Sequence, residues 1–414
     1  MAGEQVWPVR SLRVASEPSL EAITACEAVR LFGERAGSAR PSFVVDATNA
    51  TAVSEICRRL DGIPLAVELA AARVTSMGPA EIAGLLDDRF RLLTGGRRRG
   101  VERHQTLRAT VEWSYSLLDE RERVVFDRLG VFAGSFDADS ATAVAGDDEL
   151  AAWDVRDALD DLVAKSMVQL DDGPDATTRY RLLETLRQYA LDRLDDTGQA
   201  EEHRRRHAEH YAKFAEAAGP GLEGPDEAVW FPRFDAELDN LRTAVAWSLD
   251  AENAVDGELG LRIIAPLVRQ VFLRPAAGVG EWAKAALGRL ETSTPGRRTA
   301  VLTAAAWKTI FDSDNDLGHT RAAEALRDGL PPDTPSPGFG FAALASSSSV
   351  AGDHEDALQT IAAGHSALDA IDADHTAHLV LDISGVVALF FAGRYDEARV
   401  AAEDALRRAR TLAN

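Results

Sequence analysis

The sequence predicts a mainly α fold with one small β-hairpin, and three observations carry that expectation. Apolar residues recur at helical spacing along most of the chain from Leu20 onward. The period shifts to that of strands once, between Ser166 and Arg181. From Glu201 the helical pattern returns, and related segments follow one another at intervals of roughly 40 residues. With 414 residues, two to four domains are expected.

Residues 1–20 read as extended or irregular, with Val6 to Val9 as one short strand. Residues 21–103 form a helical subdomain. Val53, Ile56, Cys57 and Leu60 fall at i, i+3, i+4 and i+7, a single buried stripe. Asp61-Gly62 ends that helix, because glycine accepts the left-handed conformation after a helix terminus. Pro64 suits the first turn of the next helix, where its missing N–H costs nothing. Leu65, Leu69 and Ala72 make the second stripe. Gly78-Pro79 opens a third helix with Ile82, Leu85 and Leu86 inward. Thr94 to Gly100 is a flexible basic loop and marks a boundary.

Residues 104–200 follow a different plan. Asp119 and Glu122 have capping-box spacing ahead of a helix carrying Val124, Val125 and Leu129. Another helix carries Val155, Leu159, Leu162 and Val163. Ser166 to Leu170 reads as a strand, Asp171 to Pro174 as a turn, and Thr177 to Arg181 as the returning strand. Three helices and a hairpin make a winged helix. A helix from Leu182 to about Leu194 follows. Residues 201–250 are a helical connector, and 251–414 a solenoid of helical hairpins. Segments near Asn315, Gly352 and Gly393 start its repeats, at a period near but looser than that of tetratricopeptides. The last repeat helix lacks the polar cap solenoids normally need, so the repeats read as incomplete.

The totals exclude several function classes. No apolar run is long enough to span a bilayer, and the N-terminus has no secretory h-region. Cys26 and Cys57 offer neither a disulfide framework nor zinc spacing, so a reducing cytoplasm is expected. The formal net charge of −22 opposes a polyanionic partner. The helix that would enter a DNA groove carries Asp154, Asp157, Asp160 and Asp161 against Arg156 and Lys165, so direct nucleic-acid binding is disfavoured.

Catalytic motifs are absent. A phosphate-binding P-loop needs G-x-x-x-x-G-K-[ST], and none of the four lysines follows a glycine. Gly95 to Gly100 lacks the lysine and a preceding strand. His203, His207 and His210 lie at i, i+4 and i+7, but Arg204 to Arg206 surround them, so a solvated helix face is expected rather than a metal site. Trp113, Tyr115, Phe126 and Phe132 read as core.

Three stretches carry a family likeness: CRRLDGIPLAVELAAARV from Cys57, the run from Asp87 to Phe136, and RYRLLETLRQYALDRL from Arg179. Together they resemble the signal-transduction ATPases with numerous domains, whose nucleotide module is of the NB-ARC type. The closest group is the large LuxR/SARP-type bacterial transcriptional regulators. HRRRHAEHYAKFAE from His203 and FDAELDNLRTAVAWSL from Phe234 resemble that family's lead into its tetratricopeptide region.

The resemblance implies that residues 1–20 follow the ATPase core, so that the P-loop, magnesium-binding acids and sensor arginine would precede Met1. Within the chain it implies a nucleotide-contacting corner at Gly62, Pro64 and Leu65, with Pro64 against the adenine. It also aligns Leu183 and Glu184 with the family's M-H-D sensor motif, where leucine replaces the phosphate-sensing histidine. The expectation is therefore a regulatory fragment that hydrolyses no ATP and has no cofactor of its own, although ATP or ADP would serve intact relatives. An inducer or protein partner would sit on the repeats. The alternatives are a nucleotide-independent tetratricopeptide adaptor and, third, a DNA-binding regulator acting through the winged helix.

Overall fold

The computed structural model describes residues 12–14, 20–60, 62–93, 99–174 and 177–412. Val6 to Val9 and most of the Thr94–Gly100 loop lie outside them. The fold is mainly α, with one two-stranded antiparallel sheet among the described residues. Two compact units result. The first holds residues up to Val131, Phe136–Asp172 and Thr178–Ala200; the second holds Phe132–Ser135, Gly173–Thr177 and everything from Glu201.

The first unit opens with α1 (Leu20–Thr24), α2 (Glu27–Ala39), α3 (Ala50–Arg59), α4 (Pro64–Ala72), α5 (Pro79–Leu93) and α6 (Arg99–Ser116). Helix α2 packs on α4, α3 on α5, and α4 on α6. The stripe of Val53, Ile56, Cys57 and Leu60 is fully buried and meets Phe32, Val67, Ile82 and Trp113 in one core. Leu85 departs from expectation and stays 39% exposed, because Ile82 and Leu86 already fill the inward face of α5. At the end of α4, the buried Arg73 guanidinium donates from Nη2 to the Ser114 carbonyl (3.0 Å). Burial lowers its pKa to about 10.

Gly62 joins α3 to α4 with a φ of +60°. Its carbonyl accepts from the Leu12 N–H at 2.9 Å, and a Cβ added there would lie 2.1 Å from the Leu12 carbonyl oxygen. Gly62→Ala therefore meets both a left-handed backbone penalty and a backbone clash. A loss of at least about 2 kcal/mol is expected in urea unfolding. A loss below about 0.5 kcal/mol would show that the Leu12 segment does not hold this corner.

Next come α7 (Glu120–Leu129), α8 (Ala138–Ala145), α9 (Ala152–Ala164), β1 (Gln169–Asp172), β2 (Thr178–Arg181) and α10 (Glu184–Asp196). The capping box forms as expected: Asp119 Oδ1 accepts from Glu122 N at 2.8 Å, and Glu122 Oε2 accepts from Asp119 N at 2.7 Å. The first strand begins later than Ser166. Ser166 is left-handed (φ 57°), and the Met167 N–H is spent on the Leu162 carbonyl at the end of α9. Pairing then runs from Gln169 opposite Arg181 to Asp172 opposite Thr178, so Asp171 is strand rather than turn. Phe136 adds a single bridge to Tyr180, with N···O distances of 2.9 and 2.7 Å.

The second unit is built from α11 (Ala200–Gly221), α12 (Glu227–Asp250), α13 (Ala254–Ile264), α14 (Gln270–Leu273) and α15 (Val279–Ala286). The helical pairs α16 (Pro295–Phe311) with α17 (Asn315–Leu326), α18 (Gly338–Ala351) with α19 (His354–Ala370), and α20 (His375–Phe391) with α21 (Tyr395–Leu412) follow. Each pair turns on a left-handed residue: Ser313 (φ 68°), Gly352 (φ 91°) and Gly393 (φ 75°). The solenoid thus repeats its corner geometry even where serine replaces glycine.

Candidate functional site

The winged helix presents α9 at its surface. Val155, Ala158, Leu159 and Leu162 are buried, which fixes the helix rotation and turns Trp153, Arg156, Asp157 and Asp160 outward. Trp153 is 75% exposed, and Leu170 on β1 is also exposed. Exposing an indole at the start of such a helix is costly unless something covers it.

The acidic character of this face is less than its composition suggests. Arg121 of α7 reaches Asp157 at 2.8 Å and both Asp154 and Asp161 at 3.8 Å. Arg156 pairs with Asp139 of α8, and Lys165 with the buried Glu122. On the hairpin, Arg181 lies 3.6 Å from Asp171, and Arg179 is buried.

The corner residues taken from the resemblance are placed as follows. Gly62 is buried beneath Leu12, Pro64 at the start of α4 is exposed, and Leu65 is half-buried. Leu183 caps α10 at half burial. Glu184 points to solvent and holds Arg187, with Nη2···Oε1 at 2.7 Å; that hydrogen bond keeps its carboxyl below the usual range. Cys57 is no nucleophile as it stands, since burial pushes its thiol up to about 12.

The histidine helix differs from the solvated face expected of it. His203 and His207 are buried. The surrounding arginines point elsewhere, Arg204 to Glu201, Arg206 to Glu202, and Arg205 to both Glu202 and Asp256. The overlooked signal is the spacing of His203, His207 and Tyr211 at i, i+4 and i+8, a core stripe. No group of three or more potential metal ligands occurs among the described residues, and none of their helices is long and apolar enough to cross a membrane.

Residues 118–195 match the family model of the winged helix-turn-helix domain. The chain is 48% identical over 248 residues to a Mycobacterium tuberculosis protein named "Putative HTH-type transcriptional regulator", covering 60% of this chain and 27% of that one. A Mycobacterium bovis protein of the same description matches equally. An uncharacterised M. tuberculosis protein is 42% identical over 211 residues, 51% of each chain. The chain thus spans about a quarter of the first relatives' length. Among solved structures, a Pyrococcus horikoshii signal-transduction ATPase with a tetratricopeptide repeat sensor aligns with 95% of this chain and 54% of its own, at 10% identity and a TM-score of 0.41, too distant to assign a role.

The winged-helix match and the regulator relatives overturn the expectation that direct nucleic-acid binding is disfavoured. That expectation combined the whole-chain charge with the aspartates of α9 counted without their partners, which overstates the repulsion this helix presents. Electrostatics act within about 10 Å at 0.1 M salt, and three of the four aspartates on α9 are drawn onto Arg121. Over 118–195 this chain is similar to winged helix-turn-helix domains, and over three fifths of its length to mycobacterial proteins described as transcriptional regulators.

Proposed function

We propose that this chain is the regulatory portion of a cytoplasmic bacterial transcriptional regulator of the LuxR/SARP type, related to the NB-ARC-like signal-transduction ATPases. In this reading the winged helix contacts DNA and the repeats bind an inducer or protein partner. The carrying observation is the winged-helix match over 118–195, followed directly by a helical solenoid. Lacking a P-loop, the chain alone hydrolyses no ATP; in an intact relative Pro64 would lie against the adenine while upstream residues held the phosphates.

The contact to DNA is of an unusual kind. Residues 118–195 hold nineteen Asp and Glu against nine Lys and Arg, a formal charge of −10. Few cations are left to neutralise phosphates, so most of the affinity must come from the outward Trp153 and Arg156 on base edges and sugars. The test is fluorescence anisotropy with a 20-bp duplex selected from a random-sequence pool. Each neutralised phosphate contributes about 0.9 to the slope of log K against log salt, and a slope shallower than about −3 is expected. Arg156→Ala and Trp153→Ala should each weaken binding roughly tenfold while the fold is retained. No enrichment from the pool, or unchanged binding by both variants, removes the winged helix as the DNA-contacting element.

A further inference from the structure

The second unit encloses a cavity of about 1100 Å³ between α11, α13, α14, α16, the 332–337 loop and α20. Its apolar wall includes Phe272, Trp307, Phe339, Val380, Ile383 and Val387. Phe272 and Trp307 meet edge to face at 5.3 Å. Phe272, Leu273, Ile383 and Val387 belong to the large apolar side chains that the chain leaves exposed, and all four face this one cavity. A concentration of exposed apolar surface inside a concave site is what a ligand would cover.

The charges on its walls are unbalanced. Arg262 is neutralised by Glu216 through two bonds of 2.7 and 3.0 Å, and Arg297 by Glu258. Among the described residues, the hydrogen bond of Arg269 goes to the Glu223 backbone carbonyl, at 3.5 Å. Four carboxyls remain, Glu223, Asp333, Asp372 and Asp374, against that single guanidinium, a formal excess of −3. Glu223 accepts from the Ser336 hydroxyl and has no ion-pair partner among the described residues. Burial raises its pKa, and the charge of Asp374 adds to this, against the Ser336 bond and Arg269. Asp374 accepts from Ala377 N at 2.9 Å, capping α20, which holds its carboxyl at the cavity edge.

We propose that this cavity binds a small organic cation, an ammonium or amidinium group on an aromatic or branched apolar body. The cationic head lies between Glu223 and Asp374, and the apolar body rests on Phe272, Trp307 and Val380. Low-dielectric walls concentrate the field of the surplus carboxylates, and the aromatic faces add cation–π attraction. An anionic ligand has Arg269 alone to meet it and three net negative charges against it. The site deepens the reading of the repeats as the sensing part of a regulator by naming the class of inducer.

The test is isothermal titration of the full chain, at low salt, with three indoles of one shape and different charge: tryptamine, tryptophol and indole-3-propionate. Saturable binding of tryptamine is expected, at least tenfold tighter than tryptophol, with no binding of the propionate. Glu223→Gln keeps a partner for Ser336, and Asp374→Asn keeps a good helix cap, so both variants should fold and each should weaken tryptamine at least tenfold. Equal affinity for tryptamine and tryptophol, tighter binding of the propionate, no saturation by roughly 10 mM tryptamine, or unchanged binding in Glu223→Gln would each overturn the assignment. These outcomes are independent of the DNA measurement, since a winged helix that fails to bind DNA leaves the titration unaffected, and the reverse holds too.

Discussion

Replacing Asn240 by alanine should cost the second unit about 3 kcal/mol, a large share of the stability of a typical domain. Asn240 is fully buried on α12. Its Oδ1 accepts from Ala133 N and Gly134 N, both at 3.0 Å, and its Nδ2 donates to the Ser135 carbonyl at 2.9 Å and to Glu237 Oε2 at 3.1 Å. One side chain therefore pairs with three backbone groups of an irregular segment. Glu237 is tied in turn to the Tyr211 hydroxyl at 2.7 Å. Alanine removes the side-chain partner of two donors and one acceptor on partly exposed residues and of the buried Glu237, and water reaching the exposed side recovers part of the loss. Asn240→Asp is the informative companion. It keeps the two backbone acceptor contacts but loses the donors and sets a carboxylate beside Glu237, so it should be no milder than alanine near neutral pH and should recover as the pH falls. Urea unfolding followed by tryptophan fluorescence reads both. A loss under about 1 kcal/mol for alanine would mean that the segment finds other partners.

What was legible in the sequence is what is set locally. The stripe from Val53 to Leu60, the Asp119–Glu122 capping box and the glycine corners at Gly62, Gly352 and Gly393 each depend on residues within one or two turns of each other. The equivalent corner at Ser313 carried no signal, because serine is not marked for φ > 0, and the surrounding packing imposes it. Charge patterns misled for one reason in two places. Arg204 to Arg206 beside the histidines each find a partner one turn away or on another helix, and three of the four aspartates of α9 lie against Arg121, none of which the order of charges along the chain displays. The cavity was invisible for a different reason. Its walls run from Glu216 to Val387, so only the folded solenoid brings Glu223, Trp307 and Asp374 together. The exposed Trp153 was not singled out either, since burial within α9 is decided by the neighbours of Val155 and Leu159 rather than by the sequence period alone.

The buried histidine makes the second unit sensitive to acid in a defined window. His207 packs with its ring 4.6 Å from Tyr211 and 5.2 Å from Phe132, and its Nε2 has no hydrogen-bond partner. Burial lowers its pKa to about 3, the neighbouring His210 adds to the effect, and hydrogen bonding to Asn240 opposes it. The sign follows from which state takes the proton. Above pH 6.5 the imidazole is neutral both folded and unfolded, and contributes no pH dependence. Between pH 6.5 and about 3 the unfolded chain binds a proton that the folded chain refuses, so stability falls as the pH falls, by up to about 1.4 kcal/mol per unit. Below that window both states are protonated and the loss levels off, having reached on the order of 5 kcal/mol. Carboxylates also titrate under pH 5, so the difference between wild type and His207→Gln isolates the effect. Glutamine has no titrating group, and its amide offers polar atoms to Asn240. Unfolding free energies from urea melts at pH 7, 6 and 5 should show the wild type losing roughly 2 kcal/mol more than the variant across that range. Parallel lines for the two proteins would mean that His207 gains a proton in the folded state without cost. The Phe132–His207–Tyr211 cluster would then have to open to water well above pH 3.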